Sequence, residues 1–156
     1  MARFTADSPG DLIKEARADA GLTQTELARR AGLRQPSIAQ IESGTRTVSP
    51  EMLERILQAA DYRPALALER VFRQVREIAS ELGLRNVRVF GSVARNEDGF
   101  DSDIDLLVTP DDGVDLLDIA YFGERIGEIT GFPVDVIVDN GPIPPGWDVL
   151  QEAVSV

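Results

Sequence analysis

The chain has 156 residues, 43% of them hydrophobic, a formal net charge of −11, and neither cysteine nor histidine. That length and apolar content suit one ordinary domain or two small ones, while the missing residue types exclude disulfides, thiolate metal sites, imidazole bases and imidazole zinc ligands. Chemistry must then rest on carboxylates, hydroxyls, arginines and hard metal ions. No run approaches the roughly 20 apolar residues of a membrane span, and the stretch from Met1 to Asp7 lacks the apolar core of a signal peptide, so a cytoplasmic protein is expected.

The acid is unevenly placed. Residues 1–66 hold nine basic and nine acidic residues and are neutral; residues 67–156 hold seven and eighteen and carry the whole excess. A neutral first half with local basic clusters can meet phosphate, whereas the acidic second half is a poor surface for DNA.

From Asp11 to about Ala60 apolar residues recur at helical spacing in short segments, which predicts a compact all-α bundle. Asp11 to Asp19 reads as the first helix, with Asp11 as its cap and Gly21 beyond its end. Thr23 with Glu26 forms a capping-box pattern for a second helix that buries Leu27 and Ala28 and ends at Gly32. Pro36 suits the first turn of a third helix running to about Glu42, and Ser49-Pro50-Glu51 starts a fourth that ends near Asp61. Tyr62-Arg63-Pro64-Ala65 is the expected boundary, dividing the chain into two small domains, 1–65 and 66–156.

Leu66 to Leu82 follows as an amphipathic helix with an apolar stripe of Leu68, Val71, Phe72, Val75, Ile78, Ala79 and Leu82. Strand-like runs at Val87–Phe90, Ile104–Thr109 and Val134–Val138, with a helix from about Val114 to Thr130, predict an α/β unit. A proline-rich turn, 141–147, precedes a last short helix from Trp147 to Ala153.

The most informative stretch is Gly91-Ser92-Val93-Ala94-Arg95 followed by Ser102-Asp103-Ile104-Asp105. If Asp103 and Asp105 lie in one strand they share a face, where two carboxylates repel unless a cation sits between them. The small-residue turn at Gly91 and Ser92 offers backbone N–H groups to phosphate, so together these residues describe a site for a metal-chelated nucleoside triphosphate. Asp135 is a lone acid in an otherwise apolar run, a costly placement without a partner. If its strand neighbours that of Asp105, three carboxylates converge where Mg²⁺ or Mn²⁺ binds through oxygen. Such a cluster could hold two metals, one activating an incoming hydroxyl and one neutralising a departing pyrophosphate.

Glycine-serine, ten residues, Asp-x-Asp and a later third acid resemble the minimal nucleotidyltransferases, over roughly Leu66 to Val156. The resemblance implies that Gly91 and Ser92 hold the triphosphate tail of ATP or another nucleotide. It further implies that Asp103, Asp105 and Asp135 hold Mg²⁺, and that Asp135 helps deprotonate the acceptor. Asn96 stands where that family usually has glycine, and asparagine tolerates a left-handed backbone well. Arg95 either contacts phosphate or pairs with Glu97 or Asp98. Asp98 and Asp101 read as solvated loop acids, and Tyr121, Phe122 and Trp147 as core.

Gly21 to Leu33 continuing through Ser37-Ile38-Ala39-Gln40-Ile41-Glu42-Ser43-Gly44 is similar to the phage-repressor, or XRE, type of helix-turn-helix, over about Asp11 to Ala60. In such a domain the second helix crosses the DNA backbone and the third enters the major groove. Gln24 and Arg46 are then placed for phosphate, and Arg34, Gln35, Ser37 and Gln40 for base edges. The fold class expected is thus a helix-turn-helix bundle followed by an α/β nucleotidyltransferase-like domain with a small mixed sheet.

Joined, the two resemblances imply an antitoxin-like regulator that binds its own operator as a homodimer and transfers AMP to a toxin encoded next door. Fewer than twenty residues follow the nucleotidyl core, which points to a separate macromolecular acceptor. A small-molecule nucleotidyltransferase with an added DNA-binding domain, and a non-catalytic regulator that senses nucleotide or binds the toxin, remain as alternatives.

Overall fold

In the computed structural model, which describes residues 2–156, four helices form the N-terminal half: α1 (Pro9–Asp19), α2 (Gln24–Ala31), α3 (Gln35–Glu42) and α4 (Pro50–Ala59). The capping box is formed as expected, with Glu26 N–H donating to Thr23 Oγ1 at 3.1 Å and Thr23 N–H to Glu26 Oε2 at 2.7 Å. Gly32 ends α2 in the left-handed region at φ +68°, where glycine lacks the Cβ clash that penalises other residues. The first helix starts earlier than predicted. Ser8 takes the cap position, Pro9 needs no N–H in the first turn, and Asp11 accepts a 2.7 Å bond from Ser8 Oγ within that turn instead of capping it. Leu12, Ile13, Leu27, Ala28, Ile38, Ile41, Leu53, Ile56 and Leu57 make the bundle core.

A long helix, α5 (Pro64–Glu81), leads into β1 (Leu84–Phe90), a one-turn helix α6 (Gly91–Ala94), β2 (Ile104–Pro110), α7 (Leu116–Thr130) and β3 (Val134–Val138). The chain ends in a short helix, α8 (Val149–Glu152), and a two-residue strand, β4 (Val154–Ser155). The strands form one mixed sheet in the order β3-β2-β1-β4, parallel only between β2 and β3. The sequence pattern contained no signal for α6 or β4, since each spans only about one period of its structure and so shows no repeat.

Alternation divides the sheet. Ile104, Leu106 and Val108 are fully buried, packed with Phe122 and Ile126 of α7 and with Val75 and Ala79 of α5. The opposite face carries a second, smaller cluster of Phe90, Leu107 and Val149, flanked by Ile137 and Ala153. Phe72 was expected in the α5 stripe but is 38% exposed; Leu68, Val75 and Ala79 sit squarely on the buried face and Phe72 at its margin.

The two halves pack against each other. Phe4 meets Tyr62 at 5.6 Å, Phe132 at 5.5 Å and Phe100 at 5.8 Å between ring centres, joining the N-terminal segment to the sheet domain. Burial in this cluster pushes the Tyr62 phenol up to about 12. Asp98 corrects the expectation of a solvated loop acid. Its side chain is fully buried and accepts from Arg63 Nη1 at 3.1 Å and from the Ala65 N–H at 2.8 Å. Asp101 is exposed, as expected. Among the described residues no helix is long and apolar enough to cross a membrane.

Candidate functional site

β1 ends at Phe90, which pairs with Asp105 across the antiparallel ladder, and so delivers the chain to Gly91 beside the Asp105 carboxylate. Gly91 has φ +68°, and a Cβ there would overlap Asp105 Oδ2, so the turn requires glycine for both backbone and space. Asn96 closes the turn at φ +56°, the left-handed conformation that asparagine tolerates.

Asp105 and Asp135 occupy the same register position of the parallel β2–β3 pair and therefore share a face at one strand spacing, roughly 4.8 Å. Asp103 differs from expectation in one respect: it lies one residue before β2 starts, exposed at the strand's entrance. Burial pushes the Asp105 carboxyl above its ordinary value, and the charges of Asp135 and then Asp103 push it further, partly opposed by Arg95. None of the three aspartates forms an ion pair among the described residues. Their all-oxygen donor set suits a hard divalent cation. Among the described residues no group of three acids is drawn together into a closed cation cage; like-charged carboxylates on one face stand apart.

The Gly91 N–H donates to Glu152 Oε2 at 3.1 Å, and Arg95 donates to Glu152 Oε1 at 2.5 Å and to Glu97 Oε2 at 2.8 Å. Arg95 thus pairs with Glu97, one of the two expected acids, and with Glu152 in place of Asp98. The Arg95 bond holds the Glu152 carboxyl below its ordinary range, with the Gly91 N–H adding to the effect. Glu152 was missed by sequence reasoning, and its distance along the chain from Gly91 left no local signal. The Ser92 side chain is half-buried beside Gly91. A cleft of about 560 Å³ opens here, lined by Phe90, Gly91, Arg95, Trp147, Val149 and Glu152.

Trp147 is 52% exposed in that cleft and Tyr121 47% exposed on α7, both against the expectation of core packing; Phe122 alone of the three is fully buried. One residue further along a helix turns the side chain about 100°, which takes Tyr121 off the sheet-facing stripe that holds Phe122 and Ile126.

In the helical half, Arg34 at the N-cap of α3 and Gln40 within it are exposed, and Ser37 is half-buried. Arg46 donates to Ser37 Oγ at 3.0 Å, holding the loop after α3 against the helix. Gln24 and Gln35 are bound to each other, Gln35 Nε2 donating to Gln24 Oε1 at 2.9 Å, while Gln24 Nε2 donates to Glu42 Oε2 at 2.8 Å. Glu42 in turn accepts from Arg17 Nε at 2.6 Å. Sequence reasoning missed the Arg17–Glu42 pair; a basic residue in the last turn of α1 and an acid in the last turn of α3 carry no spacing signature.

Residues 13–66 match the helix-turn-helix family, and residues 72–150 match the family described as nucleotidyltransferase domain. A protein of Methanocaldococcus jannaschii, named as a candidate protein adenylyltransferase, is 37% identical over 90 residues, 57% of this chain and 97% of its own length. The protein adenylyltransferase MntA of Thermococcus cleftensis is 33% identical over 83 residues, 52% of this chain and 83% of its own. A solved structure described as a candidate minimal nucleotidyltransferase superposes with a TM-score of 0.53 at 36% identity, over 59% of this chain and 95% of its own. The chain belongs to the nucleotidyltransferase family and carries, before that domain, a DNA-binding helix-turn-helix of the XRE type.

Proposed function

We propose that this protein is an antitoxin-type regulator that binds its own operator and transfers AMP from ATP to a partner toxin protein. Residues 1–65 serve the DNA and residues 66–156 the transfer. The observation that carries the reading is the shared register of Asp105 and Asp135 beside a glycine whose Cβ position the Asp105 carboxylate fills. Relatives named as protein adenylyltransferases support a protein acceptor.

Gly91 and Ser92 bind the triphosphate tail through backbone N–H groups and the serine hydroxyl, and Arg95 meets its negative charge; the Glu152 carboxylate, which holds the Gly91 N–H and Arg95, gives way to the phosphate. Asp103, Asp105 and Asp135 would hold Mg²⁺ or Mn²⁺, which supplies charge neutralisation for the triphosphate and acidity to the acceptor hydroxyl. The acceptor oxygen forms a bond to the α-phosphorus, the bond from that phosphorus to the bridging oxygen of the β-phosphate breaks, and pyrophosphate leaves. The Asp135 carboxylate takes the hydroxyl proton. Arg34, Gln35, Ser37 and Gln40 read base edges while Gln24 and Arg46 contact phosphate, in a homodimer on a pseudo-palindromic site. Neither the DNA contacts nor the transfer requires a membrane, and both belong in the cytoplasm.

Incubation with ATP labelled at the α-phosphate, Mg²⁺ and the product of the adjacent gene tests this. Label is expected on that protein, and not when Asp103→Ala replaces the wild type. Label appearing only on small molecules would show a different acceptor class, and its absence everywhere would leave a non-catalytic regulator. A gel shift on the protein's own promoter with no specific complex would refute the operator claim.

A further inference from the structure

The ten residues that separate Ser92 from Asp103 are anchored to the DNA-binding half. Asp98 is fully buried and bound by Arg63 and by the Ala65 N–H, and Arg63 holds Asp19 at the end of α1 through Nε at 2.8 Å and Nη2 at 3.0 Å. Two residues on, the Phe100 N–H donates to Asp61 Oδ1 at 2.9 Å, just past the end of α4. Arg3 donates to the Phe100 carbonyl at 2.9 Å and lies 4.3 Å over its ring. The Gly99 N–H donates to Ser102 Oγ at 2.9 Å, which fixes the loop's last turn. Asp103 is next, exposed and without an ion pair of its own. Its position is set by this anchored loop on one side and by buried Ile104, whose N–H donates to Pro133 O at 2.8 Å, on the other.

Burying a carboxylate costs several kcal/mol before pairing offsets it, and a surface loop that only connects two strands has no need of one. We propose that Asp98 and Asp61 are positioning residues of the transfer site. By clamping the 96–102 loop to the helix-turn-helix half they set where Asp103 stands, so the DNA-binding half is a structural part of the metal–nucleotide site. This rests on the reading of Asp103 as a ligand of that site.

Asp61 allows a clean test because its backbone is left-handed, at φ +51°. Asp61→Gly fits that conformation and removes the acceptor for Phe100; Asp61→Asn fits it and keeps an acceptor oxygen. Full-length wild type, Asp61→Gly, Asp61→Asn, Asp98→Asn and Asp103→Ala, each checked for folding by circular dichroism, are titrated with Mn²⁺ in the presence of ATP by calorimetry. The dissociation constant for Mn²⁺ should rise about tenfold or more in Asp61→Gly and Asp98→Asn and stay near wild type in Asp61→Asn. A purely structural role would lower the fraction of competent protein and leave the constant unchanged, and that result in folded Asp61→Gly would overturn the proposal even if Asp98→Asn fails to fold. Wild type that binds no Mn²⁺ with ATP, or Asp103→Ala that binds it equally well, would overturn the underlying reading and this proposal with it.

Discussion

Glu42 in the helical half and Asp105 in the sheet half are both partly enclosed carboxylates, and their surroundings are opposite. Glu42 has a 5% exposed side chain and is bound by Arg17 and Gln24. Asp105 has no ion pair, faces Asp135 and Asp103, and has its carboxyl pushed up by burial and by those charges. In one half the charge is neutralised by the chain itself, and the result is a rigid scaffold that orients α3. In the other the charge is left for something else to neutralise. Asp103 and Asp135 are exposed and Asp105 is half-buried, so the cost here is mutual repulsion of like charges on one face, and leaving it uncompensated marks a place suited to a cation.

That contrast can be broken most sharply by substitution at the aspartates. Asp105→Asn should reduce nucleotidyl transfer by more than about 100-fold while operator affinity in a gel shift stays unchanged. Arg17→Met should do the reverse, because removing one partner of an enclosed pair leaves Glu42 under-compensated. A loss of about 3 kcal/mol, or roughly 10 °C in melting temperature, is expected, with transfer per folded molecule preserved. A smaller effect is expected at the α3 surface: Gln40→Ala should weaken operator binding by about 1–3 kcal/mol and leave transfer alone. Gln35→Ala should weaken it by a comparable amount and also free Gln24, so its loss should be partly reproduced by Gln24→Ala.

The smallest effects lie in pH dependence, where the two halves should differ in sign. Arg63 holds the Asp19 carboxyl below its ordinary value of 3.8, so this pair contributes stability above that pH and loses it as pH falls through the lowered value. Asp105 is raised above 3.8, so its favourable contribution is present below that pH and is lost as pH rises through the raised value. In thermal melts without metal, Asp19→Asn should be less stable than wild type at neutral pH and Asp105→Asn more stable. Both differences should shrink on acidification. Equal signs would remove the distinction between the halves.

Much of this was legible in the chain. The capping box at Thr23 and Glu26, the helix stop at Gly32, the β3 limits and the order Gly91, Ser92, Asp103, Asp105, Asp135 all follow from local spacing. What sequence could not reach were partners set by tertiary packing: Glu42 on Gln24 and Arg17, Glu152 on Gly91 and Arg95, and Asp98 beneath Arg63. Asp98 is instructive, since an acid in a glycine-containing loop reads as solvated until the first turn of α5 is known to lie over it. Trp147 erred the other way, because aromatic character alone does not tell a core residue from a cleft wall.

The measurement that bears most directly on the account is Mn²⁺ binding with ATP, followed by the relaxation of water protons, in wild type against Asp105→Asn. Tight nucleotide-dependent binding in the wild type and its loss in Asp105→Asn is the predicted result. Equal binding in the two proteins would contradict the claim that the unpaired aspartate face is the metal–nucleotide site.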